Sequence, residues 1–330
     1  MKKRLFMVIT LSALLVAWGM TPAPSMARTE FVSIGGGPTG GTFNYFANGI
    51  SLYVPRVVPN VRMSSEGSGG SAENVRRVHG GDFDFGISYA VDIQLAAQGK
   101  LPEDTRVYDN VRCIGYLYGA PAQLVVNAGG PLVSPKDLEG KRIAVGNAGS
   151  GAAASAERFF RHIDVWDKMR PEFLGYSPAA AAFKDGKIDG FWVLVGYPNA
   201  SIIEASTQNE IHLMNLAKDA EESGFYDAFA YAPAVIPANT YSGQTEDTAT
   251  FEDGTLLITR ADVSEDLVYE LTKAIWSEEG LVSLRQAHNA ARATSLENNF
   301  KGASRPLHKG AYKFWVEQGF EVPENLKPID

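Results

Sequence analysis

The apolar and polar positions of this chain lay out one arrangement twice. Phe31-Val32-Ser33-Ile34 is an apolar run that predicts a strand, and it enters a glycine-rich loop, Gly35-Gly36-Gly37-Pro38-Thr39-Gly40-Gly41-Thr42. Beyond the loop, Phe43, Phe46, Ala47, Ile50 and Val54 recur at helical spacing, and Pro55 and Pro59 punctuate the exit. Val61-Arg62-Met63-Ser64 predicts a second strand, Gly67-Ser68-Gly69-Gly70 a loop, and Ser71 an N-cap with Glu73 in the first helical turn. Gly80-Gly81 stops that helix, 83–88 predicts a third strand, and Val91, Leu95 and Ala96 lie on a helix after it. The second copy begins with Arg142-Ile143-Ala144-Val145 running into Gly146-Asn147-Ala148-Gly149-Ser150-Gly151. Each copy later carries Gly-x-x-Asp before an apolar strand, as Gly81-Asp82-Phe83-Asp84 and as Gly186-Lys187-Ile188-Asp189. Two such units, each ending a strand in a cradle of backbone N–H groups, predict an α/β protein with two lobes facing each other across a cleft.

The long apolar stretch 111–126 predicts, in its later part, a first crossing between lobes. The segment 233–254 is rich in Pro, Asn, Ser, Thr and Gly and reads as a long connection, with 255–259 as the return strand. Ser264 then caps an amphipathic helix carrying Leu267, Val268, Leu271, Ala274 and Ile275 on one face. Stretches 287–296 and 310–318 read as helical and pack back on the first lobe. One lobe is therefore expected to hold residues 28–121 and 257–330, and the other 122–256.

The N-terminus changes where this protein is expected to work. Lys2-Lys3-Arg4, the apolar run 5–20 and the small-residue segment Pro22-Ala23-Pro24-Ser25-Met26-Ala27 predict an export signal cut after Ala27. The apolar run is shorter than the roughly 20 residues that span a bilayer, so a cleaved signal is expected in place of an anchor. The expected destination is the periplasm, with no membrane insertion of the mature chain. Removing Lys2, Lys3 and Arg4, with no acid in that segment, takes the formal charge from −8 to −11. An acidic surface argues against nucleic acid and anionic lipid as partners. Cys113 is alone, so no internal disulfide forms, and its apolar surroundings point to a buried, inert thiol.

Candidate chemistry narrows further. Gly35, Gly37 and Gly40 match G-x-G-x-x-G after a strand, and Glu66 stands where a dinucleotide fold places its ribose acid. Export argues against a nicotinamide cofactor, and no cofactor is expected. There is no G-x-S-x-G, no H-E-x-x-H, no Walker loop and no close pair among His79, His162, His212, His288 and His308, so neither a hydrolase centre nor a metal site is expected. Asp82 and Asp84 read as turn acids at a strand start, since Asp189 repeats the position. The rings of Phe43, Tyr89, Trp192, Tyr197 and Tyr241 fall at expected strand ends or in loops that reach a cleft, where ligands sit in such folds.

Several segments resemble one known family. Gly36-Gly37-Pro38-Thr39-Gly40-Gly41-Thr42-Phe43 resembles the T-G-G-T-[YF] loop of the TAXI family of TRAP-transporter solute receptors, and Ser68-Gly69-Gly70-Ser71-Ala72-Glu73-Asn74 its T-G-G-S-x-E-N. Ile236-Pro237-Ala238-Asn239-Thr240-Tyr241-Ser242-Gly243-Gln244 is similar to its I-P-A-G-T-Y-P-G-Q, with Asn239 for Gly and Ser242 for Pro. Pro306-Leu307-His308-Lys309-Gly310-Ala311 resembles its P-L-H-P-G-A, and the segments 257–262 and 269–272 its return strand and helix. The resemblance implies a type II periplasmic binding fold, two α/β lobes joined by two crossing strands around a ligand cleft, and no catalysis. It implies capture of a small organic acid or amino acid for an ion-gradient-driven membrane permease. The alternatives are a binding protein of an ATP-driven importer and a periplasmic enzyme on the same fold. The residues expected at the solute are Thr39, Gly40, Gly41, Thr42, Phe43, Ser68, Gly69, Gly70, Ser71, Ser88 and Tyr89 from one lobe. Asn147, Ser150, Gly151, Trp192, Tyr197 and Tyr241 are expected from the other. The solute is expected to carry a carboxylate because two helix N-termini open at these loops; the loops contain no Arg or Lys, which argues against a multiply charged anion and leaves an amino acid or a 2-oxo acid open.

Overall fold

The computed structural model describes residues 29–329 except Glu103, so the expected signal segment 1–27 lies outside the described residues. The first unit runs β1 (Glu30–Gly35), α1 (Thr42–Val57), β2 (Val61–Glu66), α2 (Ser71–Gly80), β3 (Phe85–Tyr89) and α3 (Ala90–Ala96). A long strand, β4 (Val111–Asn127), leads to the second unit: β5 (Arg142–Ala144), α4 (Gly151–His162), β6 (Arg170–Glu172), α5 (Tyr176–Lys184), β7 (Gly190–Leu194) and α6 (Ala200–Ser206). Then follow β8 (Ile211–Leu213), α7 (Ala217–Glu222), α8 (Phe225–Ala228), β9 (Ala232–Ile236) and β10 (Thr248–Arg260). The chain closes with α9 (Glu265–Ile275), α10 (Glu278–Ala287) and α11 (Lys309–Glu317).

The repeat is carried into the pairing. In the first lobe β1 lies between β2 and β3, all parallel, and in the second β5 lies between β6 and β7, all parallel. The strand order across the molecule is β2-β1-β3-β10-β4-β7-β5-β6. Two antiparallel strands cross from lobe to lobe: β4 pairs β10 as far as Pro121 and then pairs β7 from Ala122, while β10 pairs β9 over Thr248 to Glu252 and β3 over Thr255 to Thr259. This is the two-lobed α/β arrangement expected from the sequence. The expected boundaries after 121 and after 256 fall inside β4 and β10. Of the stretch read as a connection, 233–254, the middle, 237–247, connects β9 to β10, while its two ends are strand, because β9 and the first half of β10 pair with each other despite their Pro and Thr content.

The repeated aspartate has a structural job in both lobes. Asp84 Oδ2 accepts the Ser33 N–H at 2.9 Å, and Asp189 Oδ2 accepts the Arg142 N–H at 2.8 Å. Each carboxylate, standing just before a neighbouring strand, β3 or β7, thus ties that strand's start to its lobe's central strand. Pro55 lies within α1 and not beyond it, and Ser71 is the first residue of α2, with Gly70 as its N-cap. The stretch expected to be helical at 287–296 is a short 3₁₀ turn, Asn289–Ala293.

The second lobe is packed around rings. Trp192 stacks on Phe159 at 5.9 Å between centroids, and Phe160, Phe225 and Phe251 complete the cluster. Cys113 is fully buried, and burial pushes its thiol up to about 12, so it stays protonated and inert.

Candidate functional site

Four helix N-termini meet at one small cavity between the lobes. Its walls are Pro38, Gly41, Phe43, Gly69, Gly70, Ser71 and Tyr89 from the first lobe, and Gly146, Asn147, Ser150, Ala152, Gly175, Tyr176 and Val195 from the second, and it encloses about 20 Å³. Gly41 is the N-cap of α1, Gly70 of α2, Ser150 of α4 and Gly175 of α5. The three glycines cap without a side chain, whereas Ser150 Oγ accepts the Ala153 N–H at 3.1 Å. First-turn N–H groups have no intrahelical partner, and an aligned helix carries about +0.5 charge at that end. Four such ends around one cavity make a strong anion cradle without a cationic side chain, and no wall residue is charged.

The glycines are required where the loops turn and touch. Gly70 has φ +108° and Gly40 φ +83°, a region L side chains rarely adopt. Two neighbours consume nearby donors: Glu73 Oε2 accepts the Gly69 N–H at 2.9 Å and Ser68 Oγ the Gly70 N–H at 3.0 Å. Asn74 Nδ2 donates to the carbonyls of Gly36 at 2.6 Å and Ile87 at 2.8 Å, which fixes the loop's carbonyls away from the cradle.

The tyrosines wall the cavity with neutral rings whose hydroxyls are engaged at the seam. Tyr89 packs on Phe43 with centroids 4.8 Å apart and donates its hydroxyl to the Leu194 carbonyl across the seam. Tyr176 donates to the same carbonyl at 3.4 Å. Burial, and next the neighbouring Tyr176, hold the Tyr89 phenol well above its ordinary value, and burial pushes Tyr176 up to about 12. Both stay protonated near neutrality.

Of the residues expected at the solute, Gly41, Phe43, Gly69, Gly70, Ser71, Tyr89, Asn147 and Ser150 line this cavity. Others meet the opposite lobe. The Gly40 carbonyl accepts from Asn199 Nδ2 at 2.8 Å, the Thr39 carbonyl from Ser177 Oγ at 3.4 Å, and Thr42 Oγ1 donates to the Gly196 carbonyl at 3.4 Å. A Cβ on Gly151 would press on the Asp92 carboxylate, on Ser71 Cβ at 2.6 Å and on the Tyr89 ring at 2.9 Å. These four therefore form the seam, not the cradle. Ser68 props the loop, and Ser88 is buried against Ser71 Oγ at 2.9 Å.

Three of the expected rings lie away from this cavity. Trp192 points into the second lobe's ring cluster and donates Nε1 to Ser155 Oγ at 3.0 Å, because both faces of β7 are covered. Tyr241 is buried behind the cleft, where its hydroxyl accepts the Asn199 N–H at 2.9 Å and donates to Gln123 Oε1 at 2.7 Å. Tyr197 lines a separate cavity with Tyr116, Tyr118 and Glu252. Gly175 and Tyr176 were missed. They form the second strand-to-helix turn of the second unit, matching Gly70 and Ser71 in the first. Gly175 before Pro178 and an alanine run was the available helix-start signal, obscured by the short strand β6.

The profile of the NMT1-like family matches residues 34–319. The chain belongs to the NMT1-like family. Among solved structures, this NMT1-like chain is similar to a putative L-cystine ABC transporter from Listeria monocytogenes, with TM-score 0.52 and 11% identity over 83% of this chain and 99% of that one. An ancestral arginine-binding protein bound to arginine matches with TM-score 0.51 and 11% identity over 78% and 98%. A protein from Bordetella bronchiseptica RB50 matches with TM-score 0.50 and 18% identity over 87% and 82%. At these identities the likeness is one of fold. Among the described residues no helix of this NMT1-like protein is long and apolar enough to cross a membrane, and no group of three or more His, Cys, Asp or Glu is placed to hold a metal ion.

Proposed function

We propose that this chain is an extracytoplasmic solute-binding receptor that traps a small carboxylate-bearing solute between its lobes and presents it to a membrane importer. The observation that carries this reading is the meeting of four helix N-termini, three capped by glycine, at an interlobe cavity with uncharged walls. Trapping needs more contacts in the closed form than in the open one, and the seam supplies them through Asn199, Ser177, Thr42 and Tyr89. On this reading residues 28–121 and 257–330 move as one lobe and 122–256 as the other, with β4 and β10 as the hinge. Binding is the whole of the activity. A periplasmic enzyme is the reading from another class, and turnover of a bound compound would favour it.

For the membrane partner, the likeness to a putative L-cystine ABC transporter favours an ATP-driven importer. The ordered motifs at 36–43, 68–74, 236–244 and 306–311 favour an ion-gradient permease of the TRAP type. Uptake into membrane vesicles separates them: ATP dependence supports the first, and collapse on dissipating the ion gradient the second. The solute's anionic end is tested by calorimetry with a panel of small carboxylic acids, amino acids included, and their primary amides. At least one acid should bind while its amide binds at least about a hundredfold more weakly, the loss of a charge-assisted contact set. Equal binding of acid and amide would refute the cradle.

A further inference from the structure

A charged cluster is sealed between the lobes beside the solute cavity, and the binding reading does not use it. Asp92 on α3 of the first lobe pairs with Arg158 on α4 of the second at 2.6 Å, with side chains 0% and 10% exposed. Arg158 also donates to the Tyr231 hydroxyl at 3.1 Å. Asp253, on the crossing strand β10, is fully buried next to Asp92, and its Oδ1 accepts the Val91 N–H at 3.3 Å. The second carboxylate oxygen of each aspartate, Asp92 Oδ2 and Asp253 Oδ2, is buried with no hydrogen-bond partner.

One guanidinium, paired with Asp92 and reaching Asp253 only through space, therefore stands against two buried carboxylates. If both were ionised, the sealed cluster would hold an uncompensated negative charge, which a low-dielectric interior strongly disfavours. A proton on one of them removes that charge and supplies a donor for an oxygen that has none. We propose that Asp253, sealed beside the Asp92–Arg158 pair, is a proton-binding site that loads as the lobes close and empties as they open. The groups facing Asp253 are Asp92 from α3, Arg158 from α4, Tyr231 from the start of β9 and Tyr89 from the end of β3. Burial, and next the Asp92 charge, push the Asp253 carboxyl well above the ordinary carboxylate range, against the opposing pull of Arg158 and of the Val91 and Ala90 amides. Opening lets water reach the carboxylates, and relief of burial, the largest cause of the raised value, outweighs the loss of the Arg158 pull, so the proton leaves more readily in the open form. Closure is then linked to proton uptake, and low pH favours the closed form.

The inference rests on the proposed hinge motion, and the test separates the two. Nitroxide labels at Lys100→Cys in the first lobe and Lys187→Cys in the second, both exposed, report the interlobe distance by electron–electron resonance, while buried Cys113 stays unlabelled. Gly151→Leu serves as a wedge, because a side chain there meets only first-lobe atoms: Asp92, Ser71 and Tyr89. In the unwedged protein the closed-to-open ratio should rise as pH falls from about 8 to about 5, by up to about tenfold per pH unit for one linked proton. Asp253→Asn, which mimics the protonated group, should flatten that dependence. A flat ratio in the unwedged protein, or the same pH response in Asp253→Asn, overturns the proton site while the wedge still lengthens the distance. A ratio that follows sodium against choline at fixed pH overturns it too, in favour of a metal cation between the carboxylates. A wedge that leaves the distance unchanged overturns the hinge and the proton site with it.

Discussion

Tyr89 and Trp192 both sit on short strands buried on each face, yet they do opposite work. Tyr89 ends β3, so its ring reaches past the sheet to Phe43 and its hydroxyl crosses to Leu194. Trp192 stands mid-strand in β7 and fills the second lobe's core. Position at a strand end was legible in the sequence and pointed to Tyr89. The facing of Trp192 was not, because a strand covered on both sides shows no alternation to read. The two residues should separate in measurement. Tyr89→Phe keeps the ring and removes one seam hydrogen bond, so it should weaken solute affinity by about fivefold, near 1 kcal/mol, with little change in melting temperature. Trp192→Ala should cost about 3–5 kcal/mol of stability in urea unfolding and leave affinity per folded molecule unchanged. The opposite pattern in either variant would reverse the assignments.

At the scale of elements, the glycine loops and the two Gly-x-x-Asp turns were readable because each rests on local chemistry: a backbone that must turn and a strand N–H that must be capped. The crossing strands were only half readable. Their length depends on partners far along the chain, so β10 was seen as 255–259 when pairing with β9 starts it at Thr248. The converging N-termini of α4 and α5 were half seen for the same reason, since the strand before α5 has three residues. The C-terminal helix α11 offers a test of local chemistry. His308 is its N-cap: Nδ1 accepts the Gly310 N–H at 3.2 Å and the other ring nitrogen meets the Val263 carbonyl at 3.0 Å. Burial is the main cause of its lowered pKa, below the usual 6.5, so the folded state prefers the neutral ring. Its contribution is present above 6.5 and lost as pH falls through the folded value, when Nδ1 gains a proton and ceases to accept. The cap is worth about 1 kcal/mol. The melting temperature of wild type should therefore fall more steeply on acidification than that of His308→Gln, and parallel curves would remove the cap from the account.

At the scale of the molecule, duplication explains why so much of the plan was visible. Each lobe repeats a strand order of second, first, third, and each brings helix N-termini to the same side of its sheet. Joined by β4 and β10, the two sets of helix N-termini face each other across the cavity. The seam residues Gly40, Thr42 and Gly151 looked like cradle residues in the sequence because both roles require small or turning positions. Only the relative placement of the lobes distinguishes them. On the proposed reading an anionic organic solute occupies the interlobe cavity. The most direct measurement is mass spectrometry of small molecules released by denaturing protein purified from its native cells without dialysis. The account expects one organic acid at near-stoichiometric amount, bound again by refolded protein and lost from a Gly175→Val variant, whose β-branched side chain would stand over Asn147 in the cradle. Release of a neutral sugar, or an acid retained equally by that variant, would contradict it.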